Sequence, residues 1–397
     1  MSTLVIDDEP FMLKLLSHQL ANLGISEVRT CERASDAIAL LEGDGADVTL
    51  LLCDLQMPDI DGVEVVRRLA RIGYTGDLVL VSGENQRVLH ATEKLANAHN
   101  LNVLGILHKP FSPDVLQAML QSRTSRSPRA PHTGAKTYAP EELRLAIAGG
   151  KLLNVYQPKV ELATGAVAGV ETLVRWRHPR DGMVFPDQFI AVAEEHNLID
   201  DLTRTVLAAA LRQARLWQEG GLDLNVAVNV SMDNLVSLTF PNLVARAVND
   251  AGIPAKSLTL EVTESRLMKN PIAALDILTR LRLKGAGLAI DDFGTGHSSL
   301  AQLRDMPFDE LKIDRGFVNG AHRNSSLRAI FEGSLVMAKQ LGMKTVAEGV
   351  EDRDDWNFLR AAGCDLAQGY FIAKPMPASE LVAWIGTWQA RRAELGL

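Results

Sequence analysis

The chain has 397 residues, 47% of them hydrophobic and 23% charged, an ordinary globular composition long enough for two or three domains. A formal net charge of −8 excludes the basic surface that a nucleic-acid duplex requires, so no duplex partner is expected. The acidic N-terminus MSTLVIDDEP does not read as a signal peptide and no uncharged apolar stretch approaches a membrane span. The three scattered cysteines, Cys31, Cys53 and Cys364, suit a reducing compartment, so a cytoplasmic protein without membrane insertion is expected.

Residues 1–120 alternate five apolar runs, TLVI, EVRT, VTLLLC, DLVLV and NVLGIL, with helical patterns. In one of these Leu13, Leu16, Leu20 and Leu23 recur at helical spacing. The alternation predicts a doubly wound, five-stranded parallel sheet in strand order 2-1-3-4-5. Asp7 and Asp8 end the first strand and Asp54 the third, which are neighbours in that order. Three converging carboxylates suit a hard divalent cation such as Mg²⁺. Ser82 ends the fourth strand and Lys109 follows the fifth. A hydroxyl and an ammonium there can hold a transferred phosphoryl group.

The segments IDDEP, CDLQMPDIDG, VSG and HKPF together resemble response-regulator receiver domains. The resemblance implies that Asp54 is the phosphoacceptor, that Asp7 and Asp8 serve one Mg²⁺, that Ser82 contacts the phosphoryl group and that Lys109 pairs with it. It also implies a cognate histidine kinase. Many receivers carry an aromatic residue three positions before the lysine; here that residue is Ile106.

Residues 121–140 hold three prolines and four Lys or Arg but no acid, which reads as a linker. Over residues 141–393 the strand-helix alternation resumes with eight runs: NVYQPKVE, VAGVETLVRW, LNVAVNVS, SLTLEVTE, GLAIDDFG, ELKIDR, KTVAEGVE and AQGYFIAKP. Eight strands over about 250 residues predict a TIM-type (β/α)8 barrel, with its reactive residues at the C-terminal strand ends. Glu171, Asn229, Glu261, Asp291, Lys312, Glu348 and Gln368 fall there, at steps of 58, 32, 30, 21, 36 and 20 residues.

Carboxylates that end buried strands need a charged partner. Glu171, Asn229, Glu261 and Asp291 supply hard oxygens enough for one octahedral ion, and Asp291 with Asp292 can bridge to a second. A pair of metal ions can activate water and neutralise a phosphodiester. Lys312 and Asp314, two residues apart, are expected on one strand face, with Lys312 orienting the water. Glu348 can act as base or ligand, and Arg175 can hold a phosphate oxygen through its planar fork.

The segments ETLVRWRHP, NVS, EVTES, DDFGTGHSSL, LKIDR, AEGVE and AQGYFIAKPMP resemble the EAL family of cyclic di-GMP phosphodiesterases. The resemblance implies hydrolysis of cyclic di-GMP to linear pGpG with Mg²⁺ or Mn²⁺. It makes Glu171, Asn229, Glu261, Asp291, Asp292 and Glu348 metal ligands, and Lys312 with Glu348 the water-activating pair. Gln157, Leu173, Arg175, Asp314 and Gln368 become substrate or water contacts. Glu264 and Glu351 become supports for the loop after DDFG and the metal shell. The family triplet reads Glu171-Thr172-Leu173, with threonine in place of alanine, and strand alternation turns Thr172 away from the catalytic face. His297 stands where tyrosine is common. Some receiver–EAL proteins are dimers or tetramers, so a homo-oligomer is expected. The alternative is an effector that binds cyclic di-GMP without cutting it.

Overall fold

The computed structural model describes residues 2–43, 47–83, 86–99, 101–125, 138–264, 271–295 and 300–396. Most of the expected linker, and His297, lie outside the described residues. The chain divides into two units, Met1–Thr133 and Gly134–Leu397.

In the first unit β1 (Ser2–Ile6), β2 (Val28–Cys31), β3 (Val48–Asp54), β4 (Asp77–Ser82) and β5 (Asn102–His108) form one parallel sheet in the order β2-β1-β3-β4-β5. Both faces are covered, and alternation along the strands divides the core in two. Leu4, Ile6, Leu51, Cys53, Leu78 and Leu80 pack in one cluster, with Ile106 partly buried against it. Val5, Leu50, Leu52, Val79, Val81 and Leu107 pack in the other, together with Leu13, Leu16 and Leu20 of the helix Pro10–Asn22. The expected order and helix face are both observed.

Among its described residues the second unit has nine strands. They are β6 (Leu152–Glu161), β7 (Val167–His178), β8 (Gly182–Val184), β9 (Asn225–Asn229), β10 (Leu258–Thr263), β11 (Gly287–Phe293), β12 (Glu310–Ile313), β13 (Lys344–Ala347) and β14 (Leu366–Ala367). Eight close into a ring, since β6 pairs with both β7 and β14. The ring departs from an all-parallel barrel at one strand. β6 is antiparallel to both neighbours, because residues 162–166 return the chain as a hairpin where a crossover helix would otherwise stand. β8 is an extra strand outside the ring, paired to the far end of β7. The run AQGYFIAKP contributes only Ala367 to β14.

Helices pack around the ring, and the chain-terminal helix Ala378–Glu394 fixes the β6–β7 turn through Trp388, whose Nε1 donates to the Gly165 carbonyl at 2.8 Å. Inside, alternation puts the fully buried Ala227 and Ala289 on the same faces as Asn229 and Asp291. These small side chains leave room for two buried lysines, Lys159 and Lys312.

β11 carries the one irregularity that matters to the site. Its register with β12 slips between Ile290 and Phe293, and Asp292 has φ 55°. In a regular strand Asp291 and Asp292 would face opposite sides; the slip brings both carboxylates to the same end.

Thr172 is 2% exposed, and among the described residues its hydroxyl has no hydrogen-bond partner. A buried unpaired hydroxyl is unfavourable by about 1–3 kcal/mol. Thr172→Val keeps the shape and removes the group, so it should raise unfolding stability by about 1 kcal/mol. Denaturant unfolding of the variant checks this, and a loss of stability would show that the hydroxyl is satisfied in solution.

Candidate active site

Lys312 lies in the middle of the barrel mouth and is fully buried. Its Nζ lies 2.7 Å from Glu348 Oε1, 2.8 Å from Glu261 Oε2, 3.0 Å from Asp291 Oδ1 and 3.7 Å from Glu171 Oε2. Four strands thus direct carboxylates at one ammonium. Lys159, from β6, stands deeper, with Nζ 3.0 Å from Glu310 Oε2 and 3.5 Å from the second oxygen of Glu261. Glu261 therefore spans two lysines, one at each oxygen.

Glu171 is held by amides. Asn229 Nδ2 donates to its Oε1 at 2.8 Å, and Gln368 Nε2 donates to its Oε2 at 2.6 Å and to Gln157 Oε1 at 3.1 Å. Gln157 Nε2 in turn donates to the Ala373 carbonyl at 3.0 Å. The two glutamines thus orient Glu171, and Gln368 Oε1 is buried without a hydrogen-bond partner among the described residues. Leu173 and Arg175 share the face of β7 that carries Glu171, toward the rim.

The remaining expected residues divide. Glu264 supports the turn after β11 as anticipated, its Oε2 accepting from Gly294 N at 2.7 Å. Asp314 is not on the strand face of Lys312, because β12 ends at Ile313 and Asp314 caps the short helix Arg315–Val318, accepting from Gly316 N at 2.8 Å. Glu351 is exposed, and its N–H donates to Asp355 at 3.4 Å, in a cluster apart from Lys312. Glu171 and Glu261 lie within their strands rather than at the ends.

Lys159, Glu310, Phe185 and Tyr370 were missed. The signal for Lys159 was present: a lysine two residues after Gln157 within an apolar run must face the same way as Gln157.

Burial and crowding set the charge states. Burial raises Glu348 to about 8 against the pull of Lys312, with Asp291 and Glu171 adding to the rise. Burial raises Glu261 to about 7, opposed by Lys312. Burial, Asp291 and Asp314 raise Asp292. Lys312 is raised as well, for the opposite reason: burial alone would lower it, but its four carboxylates outweigh that and hold it well above the usual lysine range. Six carboxylates (Glu171, Glu261, Asp291, Asp292, Glu310, Glu348) face two ammoniums (Lys159, Lys312), leaving four negative charges uncompensated if all are ionised. Oxygens of Asp291, Asp292 and Glu348 lie within 4.8 Å of one another. This hard, over-acidic donor set fits divalent cations.

The first unit holds its own acidic pocket. Lys109 Nζ lies 2.8 Å from Asp7 Oδ2 and 2.7 Å from Asp54 Oδ2, and oxygens of Asp7, Asp8 and Asp54 fall within 4.8 Å of one another. Glu9 N donates to Asp7 and Gln56 N to Asp54, so the loops after β1 and β3 aim the acids. Burial raises Asp7 despite its bond to Lys109. The pocket opens to a cleft of about 640 Å³ lined by Asp8, Gln56, Gly83, Pro110 and Phe111 among others. Ser82 is buried where its backbone carbonyl accepts from Lys109 N at 2.9 Å.

Carboxyls raised above their unfolded values keep protons that the unfolded chain gives up. Their contribution is full below about pH 4.5 and is lost as pH rises through 7–8. Lys312→Met in EDTA should therefore be destabilised by about 3–5 kcal/mol near pH 8.5 and clearly less near pH 6, where the acids hold protons. Denaturant unfolding at both pH values tests this, and an equal loss at both would refute the charge argument.

Residues 140–375 match the EAL domain family and residues 3–121 the response regulator receiver domain. The chain is 33% identical over 379 residues to the cyclic di-GMP phosphodiesterase RocR of Pseudomonas aeruginosa, covering 95% of this chain and 96% of that protein. It is 42% identical over 385 residues to the bifunctional diguanylate cyclase/cyclic di-GMP phosphodiesterase MucR of the same organism, spanning 54% of that protein. Among solved structures, the P. aeruginosa MucR phosphodiesterase in complex with c-di-GMP superposes with a TM-score of 0.58 at 42% identity, covering 61% of this chain and 98% of that one. The FimX EAL domain of Xanthomonas citri with c-diGMP gives 0.56 at 26% identity, covering 60% of this chain and 92% of that one. The chain belongs to the EAL domain family, its barrel following a response regulator receiver domain in the same polypeptide.

Proposed function

We propose that the barrel hydrolyses cyclic di-GMP to linear pGpG and that phosphorylation of Asp54 by a cognate histidine kinase tunes the rate. The observation that carries the reading is the complete, over-acidic carboxylate set around Lys312. The full-length similarity to RocR, whose name states this activity, supports it.

Glu171, Asn229, Glu261, Asp291, Asp292 and Glu348 are the residues that would hold two Mg²⁺ or Mn²⁺ ions. Asn229 suits the task because its amide nitrogen is engaged by Glu171, which leaves its oxygen for a cation. When bound, such ions supply Lewis-acid polarisation of the phosphodiester and a lowered pKa for water. Lys312 orients the attacking water. Glu348 takes a proton from that water at Oε2, the oxygen that Lys312 does not hold at 2.7 Å. The new bond joins water oxygen to phosphorus as one P–O ester bond breaks, and a proton passes to the released ribose oxygen. Arg175 steadies a phosphate oxygen, and Gln157 with Gln368 keeps Glu171 in place.

In the receiver unit Asp54 takes the phosphoryl group, Asp7 and Asp8 hold one Mg²⁺, and Ser82 and Lys109 contact the transferred group. Ile106 packs as a core aliphatic side chain, so the signal leaves this unit by a route other than an aromatic rotamer switch. We assign the protein as a homo-oligomer. Among the described residues no helix is long and apolar enough to cross a membrane.

The purified protein with Mg²⁺ should convert cyclic di-GMP to pGpG, and Glu171→Ala should lower turnover by at least about a hundredfold. Tight binding without turnover in both Mg²⁺ and Mn²⁺ would instead make the protein a binding effector. Metal binding must displace protons from Glu348 and Glu261, so apparent Mn²⁺ affinity should rise as pH increases from about 6 to about 8.5. Titration calorimetry in buffers of different ionisation enthalpy reads that proton release directly; no release would remove these two acids from the ligand set. Acetyl phosphate should change turnover of the native protein but not of Asp54→Asn, and an equal response in both would exclude Asp54 as the control point.

A further inference from the structure

Arg175 is poorly anchored for a residue assigned to hold an anion. Its Nη1 donates to the neighbouring Val174 carbonyl at 2.8 Å, and among the described residues its guanidinium forms no ion pair. Burial is the largest influence and lowers Arg175 below the usual guanidinium range, while the carboxylates of Glu171 and Asp187 pull the other way and favour its charged form. An unrestrained guanidinium so placed would swing toward one of the two carboxylates and tie up its donors.

Phe185 stands against that swing. Its ring centre lies 4.8 Å from the guanidinium carbon of Arg175. Phe185 is 49% exposed. Its backbone is fixed on both sides. β8 pairs Val184 with Trp176 of β7, and the turn that follows bonds Gln188 N to the Phe185 carbonyl at 3.1 Å. Trp176 in turn packs on Phe189 with ring centres 5.9 Å apart. The hairpin therefore presents one aromatic face to the guanidinium.

We propose that Phe185 is a positioning residue: it stacks the Arg175 guanidinium, keeps it off Glu171 and Asp187, and leaves its outer N–H groups free for a phosphodiester oxygen of the substrate. The role rests on the cyclic di-GMP reading and adds to it a residue outside the metal and proton machinery. The extra strand β8 then has a purpose, since it carries Phe185 to the rim.

The test is a double-mutant cycle in the full-length protein. Kd for cyclic di-GMP is measured in EDTA, and KM and kcat in Mg²⁺. Phe185→Ala should raise Kd and KM roughly threefold or more while kcat changes by less than about twofold, and Phe185→Tyr should restore both. In an Arg175→Ala background the same Phe185→Ala change should add nothing. Thermal unfolding should be nearly unchanged, since the side chain is half exposed. An equal loss in both backgrounds, or no loss in the native one, would overturn the role of Phe185 while hydrolysis stands. Absence of both binding and turnover in the unmutated protein would overturn the function and this inference together. Binding without turnover would remove hydrolysis alone, and the Kd cycle would still decide between the two outcomes for Phe185.

Discussion

The barrel site depends on one buried ammonium. Lys312 is fully enclosed and meets four carboxylates from four strands. A buried charge without partners is strongly unfavourable, and a cluster of buried carboxylates without a cation is worse. Each makes the other tolerable. Lys312 also sets a direction, since an acid it holds by one oxygen keeps the other for something else. Glu261 shows this most plainly, with Lys312 at one oxygen and Lys159 at the other. The site is pre-organised by charges that would be costly to move, and it keeps an excess of negative charge that draws cations.

Much of this was legible in the sequence because strand alternation and the requirement to compensate buried charge are both local rules. Period-two alternation turned Thr172 away from the face of Glu171, and successive apolar runs ending in acids implied a shared mouth. The runs and helix patterns of the first unit pointed to a doubly wound sheet, whose common strand order 2-1-3-4-5 is the one observed, and its carboxylates converge where that order requires. What escaped was whatever breaks periodicity. The register slip and positive φ at Asp292 bring two adjacent acids to one side, which alternation forbids. Asp314 was assigned to a strand that ends one residue earlier, because a capping aspartate resembles a strand-end acid in the sequence. The reversal of β6 was overlooked although it left a mark: only residues 162–166 separate its run from the next, too few for the crossover that parallel strands need. Phe185 escaped for a different reason: its partner lies ten residues back on another strand, and nothing in its neighbourhood points there.

The two units solve a similar electrostatic problem with different balances. In the first, one lysine bonds two aspartates, and a third acid stands within reach. In the second, two lysines face six acids. The smaller pocket is built on loops that follow parallel strands, its acids aimed by backbone N–H groups. The larger site is aimed by side-chain amides and by the strands themselves. A pocket on loops can rearrange when a charge is added to it, whereas a site on strands is held fixed.

The reversed strand β6 has a consequence for how the protein is made. It pairs at one side with β7, which follows almost at once, and at the other with β14, where Val160 and Glu161 meet Ala367 and Leu366. The ring therefore joins residues about two hundred positions apart, and no partial length of chain can close it. During synthesis the first unit has all its strands by His108 and can complete its fold early. The barrel must instead wait, with the far edge of β6 unpaired, until residues beyond 367 emerge. An exposed edge of that kind invites pairing with another chain. Synthesis that pauses in the last tenth of the chain would thus expose a nearly finished barrel to aggregation, beside a receiver that has already folded.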